Sequence, residues 1–300
     1  MQWGQIKTLF ILSFLVLDLF LLQQFLTKQE DASIGTIDEG SMFEESPAED
    51  NVSISDDVPK EAPEVDFLIA SLSEFSQSQL DRIGELEGQR AEVYGSELLV
   101  STFEEPVSLG QSEESINEAV SEHVPFSDQY SYWGWNESED RILFFQTTDS
   151  RTVYFNPAGV LMIEVEDGRM TGYQMSQLRE DEDENSDQRE LLDPRDVIDI
   201  LYEEREISSG DEITNMKVGY HSAAGFEPTQ VFAPIWKVTV NDEEDLFLNA
   251  VTGEGQLLDL EEEDFIGDTS EYFQELISDN QQDIFSNEEE VGEEENNSDE

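Results

Sequence analysis

The chain has no cysteine and few basic residues. Its 300 residues carry 14 Lys and Arg against 73 Asp and Glu, a formal net charge of −59 at pH 7, and two histidines. Without Cys there can be no disulfide, no thiolate zinc site and no thiol nucleophile. The excess of acid excludes nucleic acid as a natural partner, because a phosphate backbone would be repelled. It also argues against docking on anionic lipid headgroups. The acidity itself reads as a solvated surface suited to salty or alkaline surroundings. Apolar residues make up 37% and aromatics 10%, so the middle of the chain can bury a core and is not a disordered acidic polymer.

Catalytic signatures are absent too. The sequence contains no G-x-S-x-G, H-E-x-x-H or P-loop pattern. His123 falls at a predicted helix end and His221 after a predicted strand, and isolated histidines of this kind are usually structural. Carboxylate pairs abound, but among so many acids they carry no information about hydrolysis. Asp181, Asp183 and Asn185 start with the spacing of a calcium loop, yet Ser186 stands where Gly is required and Leu192 where the bidentate Glu belongs. The stretch is read as a solvated linker. No catalytic residue, cofactor or metal is assigned.

What is present first is a long apolar run, residues 6–26, IKTLFILSFLVLDLFLLQQFL. As a helix it spans about 30 Å, the thickness of a bilayer's hydrocarbon core. No A-x-A-like cleavage site follows. The reading is a retained single-pass anchor over residues 6–27, with residues 1–5 cytoplasmic and the rest extracellular. Asp18 lies near the middle of this span, where a lone acid costs about 2.5–3.5 kcal/mol on insertion scales. It is either protonated and tolerated, or it meets a polar group on another membrane helix. Asp18, with Ser13 five residues before it, is therefore a candidate partner contact.

Composition then divides the chain. Residues 28–63 are acidic and rich in Ser, Pro and Gly, and read as a flexible, self-repelling tether. Residues 64–180 read as a first α+β module. It opens with a helix at 65–75, set by apolar residues at 65, 68, 69, 72 and 75. Strands over 90–94 and 97–103 follow, then a helix after Ser112. Further strands cover 130–135, 141–147, 152–155, 160–165 and 169–175, with turns at 156–159 and at Asp167-Gly168. Residues 181–192 are an acidic linker. Residues 193–268 read as a second module, with Asp193 and Pro194 opening a helix. Its strands cover 215–221, 234–241, 245–250 and 256–260. Residues 269–300 are an acidic tail, disordered at its end, though Tyr272, Phe273, Leu276, Ile277 and Ile284 are spaced for a helix.

The halves echo each other. VYFNPAGVLMIEV and LFLNAVTGEGQLLDL each end a strand in Asn (Asn156, Asn249), turn through Gly and continue as a strand. The expected fold is α+β, an N-terminal transmembrane helix followed by two related modules, each a helix packed on an antiparallel β-sheet. In YSYWGW, residues 130–135, strict alternation puts Tyr130 and Tyr132 on one face and Trp133 and Trp135 on the other. If the tryptophan face is open, it suits a protein partner.

Three blocks together resemble a known family. They are MQWGQIKTLFILSFLVLDLFLLQQF at the N-terminus, TVYFNPAGVLMIEV, and FAPIWKVTVNDEEDLFLNAVTGE over residues 232–254. Over most of residues 1–260 the chain resembles the YycI (WalI) family, regulatory proteins of the YycFG (WalRK) two-component system. The resemblance implies a non-enzyme outside the cell on a single membrane span. It would act with a YycH-like protein and contact a sensor histidine kinase of the YycG (WalK) type, partly through transmembrane helices. The fold implied is related to the C-terminal modules of YycH. The block at 232–260 is also similar to PepSY-type domains, which leaves an alternative: an inhibitor or chaperone of an extracellular peptidase. A surface hydrolase with paired carboxylates is a third reading, and no motif singles out a pair for it.

Overall fold

The computed structural model describes residues 52–181, 190–224, 227, 229–251 and 256–296, with side chains in the last helix described to residue 280. The architecture below concerns the compact unit formed by residues 51–300. The expected span at 6–26 lies outside the described residues, among which no helix is long and apolar enough to cross a membrane.

Among the described residues, two seven-stranded sheets and four helices make an α+β fold. The first sheet contains β3 (Gln89–Tyr94), β4 (Leu98–Ser108), β9 (Arg169–Ser176), β8 (Val160–Glu166), β6 (Arg141–Thr148) and β5 (Tyr130–Asn136), in that order. A short β7 (Arg151–Thr152) pairs with β6. Every pairing in it is antiparallel. The Asp167-Gly168 turn between β8 and β9 has φ of 52° and 70°, the left-handed pair that a two-residue hairpin needs.

The second sheet runs β1 (Ser53–Ile54), β11 (Glu212–His221), β12 (Thr229–Val240), β13 (Glu244–Asn249) and β14 (Leu257–Leu258). β2 (Leu68–Leu72) and β10 (Leu178–Glu180) complete it. The segment read as a helix over 65–75 is thus the strand β2. Its 68/69/72 spacing fits a helical face, but Leu68 and Ala70 are the buried pair and alternate as a strand does. Its partners are residues 229–232 and 178–180, so the pairing that decides its conformation is far away in sequence. The helix of this region comes later, as α1 (Gln77–Gly84), opened by a capping box from Ser76 to Gln79.

The fold also begins earlier than the tether reading places it. Ser53 and Ile54 pair in parallel with Glu212 and Ile213. Val52 and Val58 are buried, and they are the apolar residues that hold this otherwise polar stretch down.

Helix α2 (Glu113–His123) starts at Ser112, whose hydroxyl accepts from the Ser115 N–H at 3.3 Å. Ile116 and Val120 pack into one face of the first sheet, against Leu99, Phe103, Ile142, Phe144, Leu161 and Tyr173. Helix α3 (Pro194–Glu204) has Asp193 at its N-cap and Pro194 in its first turn. Its approach is tied to the second sheet, because the Leu192 N–H donates to Ala250 at 2.8 Å and Leu191 bridges Val251. Val197, Ile198 and Leu201 form its buried face.

The other face of the first sheet is also covered. Leu98, Leu143, Phe145, Val160 and Met162 meet Ile235 and Phe247 of the second sheet, and Ile266 and Phe273 of helix α4 (Glu262–Asn296). Two-sided burial explains why β6 reads as a continuous apolar run rather than an alternating one. The expected boundary at residue 268 falls inside α4, because Ile266 and Phe273 anchor one uninterrupted helix on this core. The helix runs on to Asn296, into the stretch that composition alone marks as disordered.

Candidate functional site

The seam between the two sheets is built around Trp133. Strand β5 slips register between Tyr132 and Gly134: Tyr132 faces Phe144 and Gly134 faces Leu143. The extra residue is Trp133, a β-bulge. Beyond the bulge the alternation resumes in the opposite phase. Tyr132 and Trp135 therefore pack on the α2 side of the sheet, and Trp133 packs on the seam. The expected pairing of Trp133 and Trp135 on one face does not occur.

Within the seam, the Trp133 ring lies 5.2 Å from Phe155, 5.5 Å from Phe145, 5.8 Å from Tyr154 and 5.9 Å from Phe247, centroid to centroid. Its Nε1 donates to Glu262 Oε2 of α4 at 2.8 Å. The Lys237 ammonium sits 5.0 Å above the same ring and 2.9 Å from Asp245 Oδ2. One side chain thus joins β5, β13 and α4. Each aromatic pair adds about 0.5–1.5 kcal/mol beyond its burial. Trp135 differs in that its buried indole nitrogen has no hydrogen-bond partner among the described residues. Ser13 and Asp18 lie outside the described residues, so the four expected contact residues are not brought together among those described.

Two strand-end asparagines have the same local role. Asn156 Oδ1 accepts from the Ala158 N–H at 3.0 Å, and Asn249 Oδ1 accepts from the Val251 N–H at 2.9 Å. Each turns the chain by bonding two residues ahead. Asn156 does more, because its Nδ2 donates to Gln230 Oε1 of β12 at 2.8 Å, a fully buried bond between the segment after β7 and the second sheet.

The histidines have local partners. His123 Nδ1 donates to the Ala119 carbonyl at 2.9 Å, and its ring meets Phe103 edge-on. His221 Nδ1 donates to the Tyr154 carbonyl at 3.1 Å. Burial holds the His221 imidazole below the usual histidine range, and that backbone bond partly opposes the shift. Burial also raises the Tyr154 and Tyr173 phenols to about 12. Among the described residues no group of His, Asp or Glu converges as a metal cage.

A cleft that no sequence pattern announced lies on the outer edge of β11. β1 covers the start of that edge, with the Ser55 N–H donating to Ile213 at 2.9 Å. Its end is covered by the segment after β7, where Val153 bridges Tyr220 in parallel and the Tyr154 N–H donates to Tyr220 at 2.8 Å. The expected strand over 152–155 is cut to this length because Phe155 has φ of 50°. The chain fits here because Gly219 lacks a side chain: a Cβ would stand 2.4 Å from the Tyr154 ring and 2.6 Å from the Thr152 carbonyl oxygen.

Between these two covers no strand pairs with the outer side of β11 among the described residues. Tyr220 turns its carbonyl outward and faces Pro234, which has no N–H to give it. Alternation then turns the backbone groups of Met216 and Val218 outward as well. Neither bonds to a turn or loop backbone among the described residues, and neither lies opposite a residue of β1 or the Val153 bridge. A cleft of about 320 Å³ lies over them, walled by Pro59, Glu61, Pro63, Arg151, Tyr154 and Trp236. Lys217 lines it too. Sequence reasoning missed it because an edge is defined by which strands do not come near.

No curated protein sequence matches the chain. Several solved structures are similar to it in part, three of them as follows. An uncharacterized protein from Eubacterium rectale aligns with a TM-score of 0.39 and 12% identity, over 70% of this chain and 89% of that one. YycH from Bacillus subtilis aligns with a TM-score of 0.33 and 14% identity, over 59% of this chain and 51% of that one. The C-terminal domain of YpeB from Bacillus megaterium aligns with a TM-score of 0.34 and 11% identity, over 63% of this chain and 99% of that one. The model of the family described as YycI protein matches residues 36–251, most of the chain, and the chain belongs to that family.

Proposed function

We propose that the chain is a membrane-anchored regulator of a sensor histidine kinase of the YycG (WalK) type, working by contact rather than by catalysis. Membership of the YycI family over residues 36–251 is the observation that carries this reading. In it, residues 6–27 span the membrane once, residues 1–5 are cytoplasmic, and the two-sheet body stands outside the cell. A YycH-like protein is its companion. The apolar length of 6–26 supports the span, and Asp18 supports a contact within the membrane.

The test is co-purification of the full-length chain with the kinase from detergent-solubilised membranes, paired with transcript measurements after deletion of the gene. The expected result is a stable association and an altered set of kinase-controlled transcripts. No association and an unchanged transcript set would overturn the proposal.

A further inference from the structure

We propose that the open edge of β11 is a peptide-binding site, which takes an extended, carboxylate-bearing segment of a protein partner by strand addition. The proposal does not depend on the kinase reading.

The argument starts from hydrogen bonds. Backbone donors and acceptors on a sheet edge are a template for another strand. Here the template is short and bounded. From Ile213 to Tyr220 the edge runs about 20 Å at the usual strand rise. β1 occupies one end and the segment at Val153 the other. Both run parallel to β11, so Met216 and Val218 in the middle lie in line with two segments already paired in that direction. A parallel insert of three or four residues would complete a row of which both ends exist.

The cleft has room for such an insert. Its volume of about 320 Å³ suits a few side chains. Pro59 and Pro63, in the segment after β1, wall it without offering N–H groups that would compete for the edge.

Charge selects the occupant. The molecule as a whole has a formal charge of −59, yet two cations, Arg151 and Lys217, line this cleft against one acid, Glu61. On its other side Arg151 borders an acid-rich cleft with Asp66, Asp149 and Asp181, which offsets part of its charge. Lys217 is exposed and makes no ion pair among the described residues. Its neighbour across the ladder, Lys237, is already bonded to Asp245. A carboxylate arriving at Lys217 therefore meets an uncommitted cation, at a distance where salt screens the repulsion of remote acids.

The experiment uses the full-length chain in detergent and a fluorescein-labelled pentapeptide of alternating valine and threonine ending in glutamate with a free carboxyl. Fluorescence anisotropy reads binding, and hydrogen exchange reads the Met216 and Val218 amides. The expected result is saturable binding that slows exchange at both amides. Val218→Pro removes one outward N–H and leaves the bonds to β12 in place, because that pair does not bond across the ladder. It should weaken binding by about tenfold or more, a charge-independent loss. A peptide N-methylated along its backbone should fail equally on the unaltered protein, which keeps the test valid if Val218→Pro does not fold. Lys217→Glu, or glutamine with an amidated end in the peptide, should weaken binding several-fold. Binding that survives N-methylation and Val218→Pro overturns the proposal, as does the absence of saturable binding. Met216 and Val218 amides already protected in the free protein would also overturn it, since another segment of the chain would then fill the edge.

Discussion

Trp133 and Trp135 stand two residues apart on one strand and enter opposite cores. The bulge between Tyr132 and Gly134 separates them, and their indole nitrogens differ accordingly: Trp133 donates to Glu262, and Trp135 has no acceptor among the described residues. The same conservative substitution should therefore have opposite effects at the two sites. Trp133→Phe keeps much of the ring contact and loses the bond to α4, a cost of about 1 kcal/mol. Trp135→Phe removes a buried donor without a partner and should be neutral or stabilising by about 1 kcal/mol. Urea unfolding of the two variants checks the sign of each.

Asn156 links a local turn to the second sheet. Replacing it by Ala removes the bond to Gln230 and the acceptor for the Ala158 N–H, both fully buried. The expected loss is about 2–3 kcal/mol, more than one exposed turn residue would account for. Asn249→Ala removes the turn bond at Val251 and should cost about 1 kcal/mol. A denaturant midpoint for each variant tests the difference between them. A loss at Asn156 no larger than about 1 kcal/mol would mean that the bond to Gln230 contributes little.

Local signals were legible in this chain and long-range ones were not. The hairpin at Asp167-Gly168, the cap at Ser112 and the Pro194 helix start all follow from neighbours within four residues. The segment at 68–72 does not, because its apolar spacing satisfies both a helical face and a strand, and residues 229–232 decide between them. The bulge at Trp133 is equally silent, since one extra residue leaves the alternating letters YSYWGW unchanged while reversing the phase. Repeat reasoning fared better at the asparagines, where the chemistry of one side chain sets the turn in both halves. The open edge of β11 left no trace, as it depends on where β1 and Val153 stop.

Gly219 is the close approach that lets the segment after β7 reach β11. In Gly219→Ala the new methyl would stand 2.6 Å from the Thr152 carbonyl oxygen, a backbone atom that cannot swing aside. Overpacking of this kind costs about 1–3 kcal/mol. The bridge from Val153 to Tyr220 should loosen first, so exchange at the Tyr154 amide should speed up more than exchange in β8 or β9. Unchanged exchange at Tyr154 would show that the crossing segment has room the geometry denies it.

His221 should make stability fall on the acid side. Burial lowers its folded-state affinity for a proton below that of the unfolded chain, where the ordinary value is about 6.5. As the pH falls through that value, the unfolded chain binds a proton that the folded one resists, so the folded state loses ground. Above about pH 7.5 the imidazole is neutral in both states and contributes nothing to the slope. Many carboxylates titrate as well, so the comparison must be with a variant. His221→Gln keeps an amide donor in reach of the Tyr154 carbonyl and cannot titrate. The difference in Tm between the two proteins should be constant near neutral pH and should shift in favour of the variant between about pH 6.5 and 5. A difference that stays flat across that range would mean the imidazole is protonated as readily folded as unfolded.

Asp18 tests whether the apolar stretch is more than an anchor. A carboxyl group at the middle of a span costs about 2.5–3.5 kcal/mol, so its removal should not impair insertion. Asp18→Leu is therefore expected to reach the membrane at wild-type levels, measured by fractionation and alkaline extraction. If Asp18 meets a polar group on a kinase helix, the same variant should co-purify less kinase and shift the kinase-controlled transcripts toward the deletion pattern. Asp18→Asn keeps hydrogen bonding without the ionisable group and should retain more of the association than Leu does. Wild-type signalling by Asp18→Leu would assign the contact to the extracellular body, and the search would move to the seam at Trp133 and the edge at Met216 and Val218.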